Sequence, residues 1–105
     1  MFYEIRRYQS RPGRRAEWIR YMEDVVIPFQ SAAGMTVTAS FADDQDEDGY
    51  LWVRRFEDEA QRKALYAAVY ETDRWKNEIG PVVYGLLPEK SVVTRVTPTP
   101  ASPLQ

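Results

Sequence analysis

The sequence predicts an α+β domain, a ferredoxin-like β-α-β-β-α-β protomer with a four-stranded antiparallel sheet, and two observations predict it. Four strand-like runs, Phe2–Gln9, Met35–Ala42, Tyr50–Phe56 and Ser91–Val96, are separated by helical patterns only after the first and the third, which is the split βαβ order. The run Tyr50-Leu51-Trp52-Val53-Arg54-Arg55-Phe56 then says how the sheet is covered. Period-two alternation puts Leu51, Val53 and Arg55 on one face and Tyr50, Trp52, Arg54 and Phe56 on the other. Each face carries large apolar groups and a guanidinium, whereas a half-exposed strand shows one apolar and one polar face. Both faces are therefore expected to be covered. A chain of 105 residues has helices for only one of them, so a second subunit is expected on the other.

The first strand places Phe2, Glu4, Arg6 and Tyr8 on one face and Tyr3, Ile5 and Arg7 on the other. Arg11-Pro12-Gly13 is a turn that opens a helix. In that helix Ala16, Ile19, Met22, Val26 and Phe29 recur at steps of three and four, with Trp18 and Val25 widening the apolar stripe. Pro28 is expected to break or kink it after Val26-Ile27, and Gly34 is a natural stop. In the second strand Val37, Ala39 and Phe41 alternate with Thr36, Thr38 and Ser40. Asp43–Gly49 is an acidic hairpin loop. After the third strand Asp58 is an N-cap with Gln61 as its capping-box partner, and the alanine-rich run Ala60–Val69 is strongly helical. Thr72 or Asp73 caps a further segment in which Trp75, Ile79, Val82 or Val83, and Leu86 share a face, with Gly80-Pro81 expected to bend or end it early. Pro98, Pro100 and Pro103 make the last residues poor candidates for regular structure.

One domain is expected at this length. The net charge of −2 gives no basic field for nucleic acid. The chain has no cysteine, which excludes disulfides, thiolate metal sites and cysteine nucleophiles, and no histidine, which removes the commonest general base and metal ligand. No stretch approaches a membrane span. The first residues are charged and lack an apolar signal region, so a cytoplasmic location is expected. A glycine-rich phosphate loop, a GxSxG elbow and an HExxH pair are all absent from the sequence.

Three groups of residues carry possible chemistry. Asp44-x-Asp46-x-Asp48-Gly49 matches the opening of a calcium loop, but the position that needs a bidentate glutamate is Arg55 and the flanks read as strands; a solvated turn is the expected reading, and no metal is expected. Glu4, Arg6, Arg54 and Arg55 lie on the first and third strands, which are the adjacent central pair of a ferredoxin-like sheet. Glu4 is placed to pair with Arg54 or with an arginine of a partner chain. A charge buried without a partner costs several kcal/mol, roughly, so these groups either form a structural ion-pair network or hold an anionic ligand such as a carboxylate, enolate or phosphate. Tyr66 and Tyr70 stand four apart on one helix face, near Glu71 and Trp75. They are either core packing or a wall whose hydroxyls orient a ligand between helix and sheet.

The segments Tyr3-Glu4-Ile5-Arg6-Arg7-Tyr8, Arg11-Pro12-Gly13, Arg55-Phe56-Glu57-Asp58 and Thr72-Asp73-Arg74-Trp75-Lys76, taken in their order and spacing, resemble the NIPSNAP family. The resemblance covers residues 2 to about 97 and implies a dimeric α+β barrel in which two ferredoxin-like sheets face each other. It places residues 1–97 in the domain and leaves 98–105 as a proline-rich tail expected to be flexible. It sets the chain beside other barrels of this kind, including cofactor-independent monooxygenases of antibiotic biosynthesis, without implying a reaction. Arg54 departs from the family pattern, which often has an aromatic there. Haem-using relatives depend on a histidine that this chain lacks.

Three functional readings follow. In the first, a homodimer binds an apolar or anionic small molecule between sheet and helices without a cofactor; Trp52, Tyr66, Tyr70 and Trp75 supply contact area, Arg54 or Arg55 fixes an anionic group, and Glu4 and Arg6 complete the candidate site. In the second, a cofactor-independent monooxygenase or isomerase acts on a phenolic or polycyclic substrate, with Glu4 or Glu71 as base and an arginine stabilising the enolate. In the third, the chain is a structural dimer module without a pocket. An aromatic-lined pocket whose charges are all paired favours binding, and an unpaired carboxylate in the pocket favours the enzyme.

Overall fold

A computed structural model describes residues 1–105. In chain order the elements are β1 (Phe2–Gln9), α1 (Arg15–Tyr21), α2 (Ile27–Ala32), β2 (Thr36–Ala42), β3 (Gly49–Phe56), α3 (Glu59–Tyr70), α4 (Gly80–Leu86) and β4 (Val92–Val96). Two π-helical turns, Met22–Val26 and Trp75–Ile79, lead into α2 and α4. The sheet is antiparallel throughout, in the order β2-β3-β1-β4. The ferredoxin-like α+β architecture is the one the strand and helix pattern predicts. No helix is long and apolar enough to cross a membrane.

The register of the two central strands organises the core. Phe2 lies opposite Phe56, Glu4 opposite Arg54, Arg6 opposite Trp52 and Tyr8 opposite Tyr50. Alternation puts all eight on one face, and the helices cover that face so well that Trp52 and Phe56 are buried together with the charged Glu4 and Arg54. Arg55 falls on the opposite face, as the alternation of β3 requires. In β2 the predicted alternation is broken. Val37 lies opposite Arg54 but Ala39 lies opposite Val53, with Thr38 bulged between them. A bulge inserts one residue and exchanges the faces on either side of it, so Val37 packs against the core while Ala39 and Phe41 belong to the outer face.

Of the two outcomes expected at each internal proline, a break or a bend, the break does not occur: both helices continue past the proline through a local π turn, and the reason is the same for both. Proline has no N–H, and its ring meets the carbonyl four residues back. The chain avoids that clash by widening one turn just upstream. The Ile27 N–H, immediately before Pro28, bonds the Met22 carbonyl, and the Gly80 N–H, immediately before Pro81, bonds the Trp75 carbonyl, each five residues back. The wider turn also resets the buried stripe. It runs Trp18, Met22, Val26 and Gln30 in even steps of four, instead of the predicted Ala16, Ile19, Met22, Val26 and Phe29. Gly34 stops α2 with φ of +108°, which an L side chain rarely adopts.

The caps follow the sequence closely. Asp58 accepts the Gln61 N–H at 2.7 Å, and the Gln61 side chain reaches back to the Glu57 N–H at 2.7 Å. The Thr72 hydroxyl accepts the Trp75 N–H at 3.2 Å. The acidic loop is tied down by its own aspartates and by two arginines. Asp43 accepts the N–H groups of Gln45 and Asp46 and pairs with Arg7 at 2.9 Å, while Arg15 donates to the carbonyls of Asp43, Asp46 and Gly49. Beyond β4 the chain doubles back without forming a helix or strand. Tyr3 donates to the Gln105 carbonyl at 2.7 Å, and Pro98, Ser102 and Leu104 lie beside Tyr3, Ile5 and Val53 on the outer face.

Candidate functional site

The covered face of β1 and β3 delivers an acid and two arginines to the space under the helices. Arg54 has no exposed surface. Its Nη2 donates to Glu4 Oε1 at 2.7 Å and to the Tyr66 hydroxyl at 2.7 Å, and its Nη1 donates to the Tyr70 hydroxyl at 2.7 Å and to Gln30 Oε1 at 2.9 Å. Tyr66 donates to the Glu4 carboxylate at 2.7 to 2.8 Å. The Arg54 guanidinium also lies over the Trp52 ring at 4.8 Å and the Tyr66 ring at 5.1 Å, contacts in which the ring faces attract the cation. Arg54 is thus fixed by strand pairing on one side and by helix side chains from α2 and α3 on the other.

These contacts decide the protonation states. Burial pushes the Glu4 carboxyl up, but the Arg54 guanidinium and the hydrogen bonds from Tyr66 and Arg54 outweigh it and hold the group below the usual carboxylate range. Burial opposes the charge of Arg54, yet its oxygen partners raise its pKa and keep it cationic. Burial pushes the Tyr66 hydroxyl up to about 12. Glu4 is therefore an ionised partner of arginine and a poor proton acceptor near neutrality.

Beside this cluster a cavity of about 280 Å³ opens between sheet and helices. Trp18, Trp52, Tyr70 and Trp75 form its aromatic walls, with Val83 on α4 and Arg6 on β1. Tyr70 and Trp75 meet edge to face at 4.7 Å, and the Tyr8 hydroxyl accepts the Trp52 indole N–H at 2.9 Å, which fixes the ring positions. Both π-helical turns contribute walls, Met22 and Val26 from the first and Trp75 from the second. Leu87, Glu89, Lys90 and Ser91, on the connection from α4 to β4, form the mouth. No group of three or more acidic side chains is arranged to hold a metal ion.

Of the sequence-derived candidates, Arg6, Trp52, Tyr70 and Trp75 line the cavity, while Glu4, Arg54 and Tyr66 form the buried cluster beside it and are not part of its wall. Arg55 does not. It lies on the outer face and pairs with Glu57. Glu71 is exposed at the end of α3 and is not part of the cavity wall. Sequence reasoning passed over Gln30, Tyr8 and Trp18 as site residues. A glutamine at the fourth step of an apolar helical stripe, Trp18-Met22-Val26-Gln30, is the one signal that marks Gln30, and it becomes visible only when the π turn is known.

Similarity to known proteins agrees with this architecture. The NIPSNAP family model matches residues 3–103. A structure of a protein from Agrobacterium tumefaciens superposes with a TM-score of 0.90 at 24% identity, covering all of both chains. An uncharacterized NIPSNAP domain protein from Burkholderia xenovorans gives 0.87 at 16% identity, covering 98% of this chain and 99% of the other. An antibiotic biosynthesis monooxygenase gives 0.69 at 15% identity, covering 95% and 100%, a likeness of fold alone. A search of the curated proteins finds none that matches. With the family model spanning almost the whole domain and the same fold in its solved members, this chain belongs to the NIPSNAP family.

Proposed function

We propose that this NIPSNAP protein binds a compact, largely apolar small molecule in the cavity between its sheet and helices, and that it does so without using Glu4 as a catalytic base. The observation that carries the reading is the combination of an aromatic-walled cavity with a carboxylate already committed to Arg54 and Tyr66. The volume of about 280 Å³ lies at the small end for ligand sites, and the aromatic lining with a few fixed polar groups is their usual make-up. A proton-abstracting enzyme needs a carboxylate raised towards neutrality, and Glu4 moves the other way.

A homodimer formed through the outer sheet face is part of the same proposal. Phe41 is 57% exposed, and Val92 and Val96 also stand open on the face that holds Ile5, Leu51 and Val53. Exposed apolar side chains at both edges of this face, on β2 and β4, support an interface between copies of the chain.

Native mass spectrometry of the protein purified from its own host tests the binding reading. A mass in excess of the polypeptide under gentle conditions, lost on denaturation and lost in Val83→Trp, which fills the cavity, is the expected result. An excess mass that survives Val83→Trp in a folded protein assigns the ligand elsewhere and overturns the reading.

A further inference from the structure

Resting on the binding reading above, we infer that the ligand is an anion, a compact aromatic or otherwise planar carboxylate, and that Arg6 holds its charged end at the mouth of the cavity. The sequence offered Arg54 and Arg55 for that role, and the geometry leaves neither available. Both terminal nitrogens of Arg54 already donate to four oxygens on Glu4, Gln30, Tyr66 and Tyr70; its Nε is buried without a partner, but the residue does not line the cavity, and Arg55 is on the other side of the sheet with Glu57.

Arg6 is differently placed. It lines the cavity, and its side chain retains 20% of its surface. Its one short hydrogen bond runs from Nε to the Tyr8 hydroxyl at 2.9 Å. The two terminal nitrogens make only long contacts, 3.5 Å to the Tyr66 hydroxyl and 3.3 Å to the Ser91 hydroxyl. A guanidinium has five N–H donors in a planar fork that matches a carboxylate, so the outer edge of Arg6 has donors to spare.

Charge counting points the same way. Two guanidiniums, Arg6 and Arg54, share the single carboxylate of Glu4, at 3.7 and 2.7 Å. On α3, Glu59 is taken by Arg62 and Arg95, and Glu89 and Lys90 at the mouth add one charge of each sign. The partly enclosed cluster therefore carries one positive charge more than its protein partners neutralise. Enclosed charges are paired in stable proteins, and a bound carboxylate beside Arg6 completes the pairing. Its apolar body then lies against Trp52, Tyr70 and Trp75. The aromatic walls favour a flat molecule, and the cavity volume limits it to about the size of a fused two-ring acid.

Isothermal titration calorimetry with 2-naphthoate and its neutral isostere 2-naphthamide tests this on the full chain. The expected result is tighter binding of the carboxylate by roughly tenfold to a hundredfold, the worth of a charge-assisted pair. Arg6→Gln should abolish the preference while amide binding persists, and Arg6→Lys should keep part of it. Equal affinity for the two probes in the wild-type protein overturns the anion assignment and leaves the pocket standing. A carboxylate preference unchanged in folded Arg6→Gln overturns the role of Arg6. Should Arg6→Gln not fold, the wild-type preference and its weakening in Arg6→Lys decide the same question. If neither probe binds, or if Val83→Trp binds both as the wild type does, the cavity reading fails and the assignment with it.

Discussion

Replacing Glu4 by glutamine keeps the volume of the side chain and one acceptor oxygen, but it removes the charge that two arginines share and puts an amide donor in place of one oxygen that accepts from Tyr66. Arg54, with no exposed surface, then has only neutral oxygen partners, among them Gln30, Tyr66 and Tyr70, and no counterion. Arg6 loses its carboxylate as well. Removing one member of a buried ion pair costs about 3–5 kcal/mol. At about 4–8 °C per kcal/mol for a domain near this size, the melting temperature should fall by roughly 12 °C or more. The assay is urea unfolding followed by tryptophan fluorescence, across pH. The wild-type Glu4 carboxyl sits below its unfolded value near 4.3, so its contribution is fully present above that pH and is lost as the pH falls through the lower folded value. The stability of Glu4→Gln should therefore converge on that of the wild type in acid and diverge from it at neutrality. A loss below about 1 kcal/mol at pH 7, the scale of an exposed pair, or a gap that does not narrow in acid, would refute the description of Glu4 as the ionised counterion of a buried Arg54.

Asp58→Ala removes the acceptor of the Gln61 N–H at the start of α3 and should cost about 1 kcal/mol, seen as a lower urea midpoint at unchanged slope. Gly80→Ala puts a Cβ 2.9 Å from the Trp75 carbonyl and 3.2 Å from its indole nitrogen; strain of about 1–3 kcal/mol is expected, along with altered near-ultraviolet circular dichroism from the displaced tryptophan. An unchanged midpoint would mean that the π turn at Trp75–Ile79 yields easily. Phe41→Glu places a charge on the outer face and should convert a dimer to a folded monomer in light scattering behind size-exclusion chromatography; a dimer that persists would move the interface off this face.

The fold was legible because local rules and the global pattern agree. Period-two runs, a capping box at Asp58 and Gln61, and a glycine where α2 ends all act over a few residues, and each left a mark in the sequence. Glu4 and Arg54 could be paired in advance because strand alternation and the central position of β1 and β3 leave them directly opposite each other. The chain by itself thus determined the architecture and the family resemblance, and it placed Glu4 and Arg54 opposite each other. The tertiary structure alone decided how the charges divide. Whether Arg54, Arg55 or Arg6 has free donors depends on which oxygens the helices bring, and Gln30, Tyr66 and Tyr70 reach Arg54 from elements distant in sequence. The bulge at Thr38 and the two π turns before Pro28 and Pro81 were equally out of reach. Each inserts a residue into a periodic pattern, and a local reading of period cannot see where a chain gains one residue to relieve a clash with its own backbone or to fit its partner strand.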